Sequence, residues 1–273
     1  MTSVESLTLA IAGLALRIEA PAAWTPDLRT RYAAFLSDQP AAWQITLHLD
    51  PTLEARAADW VTHEGLLTRF RVGASAGWID LARQQAVVSA SSAARAPSAL
   101  ERTLVFILLQ MLPRLGQGLL LHAAGLIWQG RGHVFFGASG AGKTTLAGLA
   151  PATAEVVSDE NVIIQQRADG PVLVSTPFWG MSTPQERIQR SNRQAPLAAL
   201  YALEHAPTFS LTRLPPAQAA VALLETQKVA VERASSADAW LQMAAALIAS
   251  APVYRLAFRP TAELWDFLRE AGV

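Results

Sequence analysis

Apolar and polar positions change rhythm along this chain, and the change divides it near residue 98. Residues 7–19 (Leu-Thr-Leu-Ala-Ile-Ala-Gly-Leu-Ala-Leu-Arg-Ile-Glu) predict two strands around Ala12-Gly13, the second with the alternation of a half-buried strand. Asp27 is placed to cap a helix running to about Leu36. Trp43 to Leu49 alternates again, with Gln44, Thr46 and His48 on one face. Further strands are predicted at 67–72, Trp78–Leu81 and Ala86–Val88, with a glycine-rich turn at Gly73–Gly77. The reading is an antiparallel, β-rich N-terminal domain over 1–98, carrying one or two helices.

The Ala/Ser-rich stretch Ser89–Ser98 reads as a connector. After it, Ala99 to Leu112 is apolar on nearly every side, which predicts a buried helix stopped by Pro113. Leu119 to Trp128 reads as an apolar strand, followed by a turn at Gln129–Gly132 and a short strand, Val134-Phe135-Phe136. Strands and helices alternate to about residue 180. From Pro184 the chain is expected to become helical, with runs near 216–225 and 236–249, a strand at Val253–Leu256 and a last helix over 261–271. This second domain, 99–273, makes the fold class α/β, or α+β over the whole chain.

Composition narrows the function classes. Hydrophobic residues make up 51% of the 273 and charged ones 16%, the balance of a globular chain. Lys+Arg and Asp+Glu are both 22, so no overall charge draws the protein to nucleic acid or an acidic membrane. There is no cysteine, which excludes disulfides, thiolate metal sites and thiol nucleophiles. Glu5 precedes the first apolar stretch with no basic leader, and the apolar segment 104–128 is broken by Gln110, Pro113, Arg114 and Gln117. The expectation is a soluble, cytoplasmic protein with no nucleic-acid or membrane partner.

The chemistry concentrates in one segment. Gly137-Ala138-Ser139-Gly140-Ala141-Gly142-Lys143-Thr144-Thr145 contains the complete pattern G-x-x-x-x-G-K-[ST], between an apolar strand and a helix predicted from Thr144 to Leu149. Glycines there allow tight bending, so that successive N–H groups form an anion-binding nest. The N-terminus of the following helix adds free N–H groups. Lys143 supplies a point charge for the outer phosphates and Thr144 a hydroxyl for Mg²⁺. The alternative is a glycine-rich turn with a surface lysine. The pattern and its flanks point to a nucleoside triphosphate.

Sixteen residues after Lys143, the apolar Val156-Val157 leads into Ser158-Asp159-Glu160. A strand ending in acids suits metal-assisted phosphoryl transfer, where one carboxylate holds Mg²⁺ and another takes a hydroxyl proton. Asp159 is assigned metal and proton handling, Glu160 a supporting metal role; an exposed acidic turn is the plain alternative. His122 reads either as a satisfied core histidine or as a group that a hairpin returns to the loop, where it tunes a carboxylate or holds a phosphate oxygen. Ser175–Met181 resembles a strand end entering a substrate-facing loop, although Phe178 and Trp179 also suit a core. Arg187, Arg190 and Arg193 recur every third residue along one side of a predicted helix, facing either anionic groups or solvent. His63, His133 and His205 give no metal-ligand spacing.

Leu121-His122-Ala123-Ala124-Gly125, the loop 137–144 and Ser158-Asp159-Glu160 together resemble the core of the HPr serine kinase/phosphorylase family. The loop is also similar to that of ATP-dependent phosphoenolpyruvate carboxykinases, whose nucleotide-binding fold those kinases share. Pro252–Leu256 is similar to divergent HPr-kinase-like proteins found with peptide natural-product genes. The resemblance covers roughly 118–165 and implies a mixed-sheet core containing the phosphate loop. It also implies ATP and Mg²⁺, catalytic roles for His122, Lys143 and Asp159, and a homo-oligomer, since the family assembles into hexamers. The chain departs from the family at Glu160, where Asp is usual, at Ala123 in place of glycine, and throughout the N-terminal hundred residues. These departures point away from HPr as acceptor. The implied activity is transfer to a serine-type hydroxyl on a peptide, protein or small molecule. A nucleotide-binding accessory protein or sensor with little transfer activity is the second reading. A transporter-type ATPase is disfavoured, because no Leu-Ser-Gly-Gly-Gln segment occurs and the acids follow the loop too soon.

Overall fold

The computed structural model describes residues 3–53, 58–180, 183, 188, 190–233 and 237–273, without the side chains of 226 and 228–233. The chain forms two compact units, which meet in sequence between Met111 and Leu112.

In the first unit β1 (Val4–Ile11) and β2 (Leu14–Pro21) form a hairpin about Ala12-Gly13, both at positive φ. Then come α1 (Thr25–Arg31), β3 (Trp43–Leu49), β4 (Trp60–Glu64), β5 (Leu67–Val72), β6 (Ser75–Asp80), β7 (Gln85–Ala90) and α2 (Ala96–Arg114). The seven strands form one sheet in the order β1-β2-β3-β7-β6-β5-β4. It is mixed, not antiparallel as expected, because β3 pairs in parallel with both β2 and β7. Two local expectations also change. Asp27 lies in the first turn of α1, whose N-cap is Trp24 and which ends at Arg31. Pro113 sits inside the last turn of α2 instead of stopping it, one residue before the helix ends at Arg114.

The second unit contains β8 (Gly118–Leu121), β9 (Ala123–Trp128), β10 (Arg131–Phe136), α3 (Lys143–Gly148), β11 (Ala154–Ser158), β12 (Val162–Arg167) and β13 (Gly170–Val174). It continues with β14 (Gln194–His205), β15 (Ser210–Arg213), α4 (Pro216–Arg233), α5 (Ala237–Ser250), β16 (Val253–Phe258) and α6 (Glu263–Glu270). Seven strands follow the order β11-β9-β10-β14-β13-β12-β8, β16 pairs with β14, and β15 pairs with β16. Helices pack on both faces of the sheet. Val134 and Phe136 share one core with Leu223 of α4 and Trp240 and Leu247 of α5. Phe135, between them in sequence, joins the other core with Leu146 of α3 and Leu264, Trp265 and Leu268 of α6. That is the period-2 alternation of a strand buried on both sides.

Two expectations for this unit are corrected. The segment 119–128 is not one strand, because β8 pairs with β12 while β9 pairs with β10 and β11, and the chain breaks at His122 to change partners. Over the described residues 190–205 the chain is not helical, contrary to the expectation from Pro184 onward. Residues 184–187 lie outside the described residues, and β14 follows, pairing with β13 through Gln194–Pro196 and in parallel with β10 and β16 beyond. Ala and Leu dominate β14, so its helix propensity is overridden by burial between two parallel neighbours.

Candidate functional site

The register of four strands builds the site. β10 and β11 are both antiparallel to β9, so they run the same way and end on the same edge of the sheet. Phe136, the last residue of β10, pairs with Ala123, and Ser158, the last of β11, pairs with Gly125. The glycine-rich loop leaves the first end and the acids leave the second, two strand spacings or about 10 Å apart. His122 precedes Ala123 and therefore sits between them.

The loop is tight. Gly142 precedes α3 with φ 96°, a left-handed conformation, and a Cβ there would lie 2.9 Å from the Phe258 ring. A Cβ on Gly137 would lie 2.7 Å from that of Ala141. Lys143 is buried, and its ammonium donates to the carbonyls of Gly137 (2.9 Å) and Ala138 (3.3 Å). The cation therefore points into the loop that precedes it. Burial holds the Lys143 pKa below the ordinary lysine value, against the opposing pull of Glu160. The helix that follows is short, six residues from Lys143 to Gly148.

Asp159 is 2% exposed and fixed at both oxygens. Oδ1 accepts from the Gly180 N–H at 3.0 Å, and Oδ2 accepts from the Thr183 hydroxyl. Ser158 organises the turn, donating to the Phe178 carbonyl at 2.5 Å and accepting from the N–H groups of Glu160 and Asn161, each at 3.2 Å. Thr144 and Asp159 face one small cavity of about 40 Å³, closed by Ala147, Val156, Trp179 and Thr183. The Trp179 indole N–H is buried there without a partner.

Glu160 turns outward, 41% exposed at its side chain, with Oε1 3.5 Å from Nδ1 of His122. Burial, followed by the Asp159 charge, raises the Glu160 pKa above the ordinary carboxylate value, and Lys143 opposes this. Burial and then the Lys143 charge lower that of His122, against Glu160 and Asp159. The two groups are thus drawn toward each other from opposite sides of the mildly acidic range.

Most of the residues singled out in the sequence meet at this edge: Gly137 to Thr145, His122, Asp159 and Glu160. Arg190 and Arg193 do not. Arg187 and Met181 lie outside the described residues. Arg190 and Arg193 stand in irregular chain, not on a helix. Arg190 donates to the Pro177 carbonyl at 3.1 Å, and Arg193 pairs with Glu155 at 3.2 Å. Phe178 and Trp179 are buried. Among the described residues, no group of three or more His, Cys, Asp or Glu could hold a metal ion.

Three partners had no signal in the sequence. Gln227 of α4 clamps the strand break, accepting from the His122 N–H at 2.7 Å and donating to its carbonyl at 3.2 Å. His205, at the end of β14, bonds the Gly140 carbonyl through Nε2 at 3.0 Å and stacks on Phe258. Thr183 holds Asp159. Each lies tens of residues from the motif it supports, and only tertiary pairing brings it there.

Comparison with known families gives one result. The family described as "ScmC: SynChlorMet cassette protein ScmC" matches residues 98–270. The chain belongs to the ScmC family. The match begins within α2 and spans the whole edge just described, while the seven-stranded sheet lies before it. No curated protein matches the chain. Among the described residues of this ScmC-family chain, no helix is long and apolar enough to cross a membrane.

Proposed function

We propose that this chain is an ATP- and Mg²⁺-dependent kinase that phosphorylates a serine-type hydroxyl on a peptide, a protein or a small molecule. The observation that carries the reading is convergence at one sheet edge. A glycine-rich loop with a buried lysine at its centre faces a fixed aspartate and a His–Glu pair. The G-x-x-x-x-G-K-[ST] pattern and the resemblance to HPr kinases support the same reading, with the loop as phosphate cradle. HPr itself is disfavoured as acceptor by the departures at Ala123 and Glu160.

In this reading the loop N–H groups and Lys143 hold the β- and γ-phosphates, the lysine exchanging its two carbonyl partners for phosphate oxygens. The Thr144 hydroxyl and the Asp159 carboxylate are hard oxygen donors facing one small cavity, which fits a cation that takes few protein ligands. Bound Mg²⁺ would offset charge on the phosphate oxygens. Both Asp159 oxygens are already hydrogen-bonded, so Asp159 is the fixed partner and Glu160 the freer base. The acceptor O–H gives its proton to Glu160 as its oxygen bonds to the γ-phosphorus. The bond from that phosphorus to the β,γ-bridging oxygen breaks, and ADP leaves. His122 neighbours the carboxylate and takes the proton onward.

The second reading, a nucleotide-binding accessory protein, draws on the Glu160 and Ala123 departures and on the seven-stranded sheet that precedes the family match. Titration of the chain with MgATP tests what both readings share. Binding that Lys143→Ala abolishes is expected; equal affinity of the variant and the parent would remove the basis of both.

A further inference from the structure

The three parallel strands have a second end. Where β10, β14 and β16 begin there is a hollow of about 420 Å³, within the range of small-molecule sites. Arg131 on its rim is six residues before Gly137, roughly 20 Å along the strand at ~3.3 Å per residue. The hollow is therefore separate from the loop edge.

Its lining is specific. His133 is 3% exposed, and its Nδ1 lies 3.0 Å from the Tyr201 hydroxyl. Burial keeps the ring neutral at physiological pH. Half-buried Tyr254 supplies aromatic surface and stacks on Tyr201 with centroids 5.9 Å apart, while Trp128, 2% exposed, closes the floor behind it. Two guanidinium groups border this surface. Arg269 lies 5.9 Å from the Trp128 ring and is paired to Asp266 at 2.7 Å. Arg131 is exposed, and no carboxylate pairs with it among the described residues.

A free guanidinium beside a hollow with an aromatic wall recognises a flat ring that carries an anion. The guanidinium pairs with a carboxylate in two parallel hydrogen bonds, and the ring is sheltered against Tyr254. We propose that this hollow is a second ligand site of the chain, one that takes a small aromatic carboxylate. A neutral aromatic would leave Arg131 solvated, and a simple carboxylate would leave the aromatic wall wet. Recognition needs both parts.

Calorimetric titration with three probes separates the contributions: indole-3-acetate, indole-3-ethanol and acetate. Indole-3-acetate is expected to bind at least about tenfold more tightly than either of the others, the scale of one charge-assisted pair. Arg131→Gln should erase that preference with the melting temperature unchanged, since the side chain is exposed and unpaired. Arg269→Gln should weaken binding as a second check, because it removes the cation beside Trp128. Lys143→Ala should leave indole-3-acetate binding intact, so the result does not depend on the nucleotide reading. Absence of binding by indole-3-acetate, equal binding of all three probes, or affinity unchanged in both arginine variants would overturn the proposal.

Discussion

Nδ1 of His122 stands 3.5 Å from Oε1 of Glu160, where two neighbouring pairs of strands part company. β8 and β9 separate at His122, and β11 and β12 separate across 159–161, each taking different partners on either side. The Ala123 N–H donates to the Glu160 carbonyl at 3.1 Å, so the two breaks are joined by backbone as well as by side chains. Strand breaks free backbone groups from the ladder, and here Gln227 takes up those of His122.

The His–Glu pair predicts a pH profile. Glu160 must be ionised to accept a proton, and its pKa lies above the ordinary 4.5, while that of His122 lies below the ordinary 6.5. Transfer should therefore fall on the acid side at a higher pH than an ordinary glutamate would set, with more than half lost by pH 4.5. His122→Asn should slow transfer on the order of 100-fold at neutral pH and leave the melting temperature unchanged. A large drop in melting temperature would instead mark His122 as a packing residue.

Asp159→Asn should retain nucleotide binding and lose turnover. Its amide oxygen still accepts from the Gly180 N–H, but its NH2 cannot accept from the Thr183 hydroxyl, so stability should fall by about 1–3 kcal/mol. Turnover together with a thermal melt checks both parts. Near-parental turnover would remove Asp159 from the chemistry.

Gly142→Ala probes the loop. The left-handed backbone costs an L-residue about 1–2 kcal/mol, and the new methyl would meet the Phe258 ring. Binding of MgATP should weaken more than the fall in stability alone explains, because the loop itself is displaced. Gly13→Ala, also at positive φ but with open space around its Cβ, should lower stability and leave nucleotide affinity alone.

His133 predicts acid sensitivity in stability. Burial takes its pKa down to about 4, so the folded chain binds less proton than the unfolded one below pH 6.5. Stability should fall as pH drops from about 6.5 to 4, by on the order of 3 kcal/mol in all. In His133→Gln that dependence should largely disappear, as read from chemical denaturation across the range. An unchanged slope would assign the acid sensitivity to other groups.

Much of this was legible in the sequence because it is local. The strands β3, β5 and β10 alternate or run apolar as short strands do, and the loop motif is contiguous from Gly137 to Thr144. The break at His122 was not legible, since an unbroken apolar run gives no sign that its two halves pair with different strands. The β14 segment reads as helix in sequence, since Ala and Leu favour helix wherever burial does not decide. Asp159 and Glu160 are neighbours in sequence, but their different surroundings are set by Gly180, Thr183 and His122, which only the folded chain brings near. The hollow at Arg131 and Arg269 joins residues 138 positions apart and left no pattern to read.

The most direct test of the account is phosphoryl transfer itself. The purified chain, Mg²⁺ and γ-labelled ATP would be incubated with pools of serine- and threonine-containing peptides, free hydroxy amino acids and cell extract, beside Lys143→Ala and Asp159→Asn. The account predicts label on a hydroxyl acceptor with the parent chain and none with either variant. Tight ATP binding with no label on any acceptor would contradict it and leave the accessory nucleotide-binding reading.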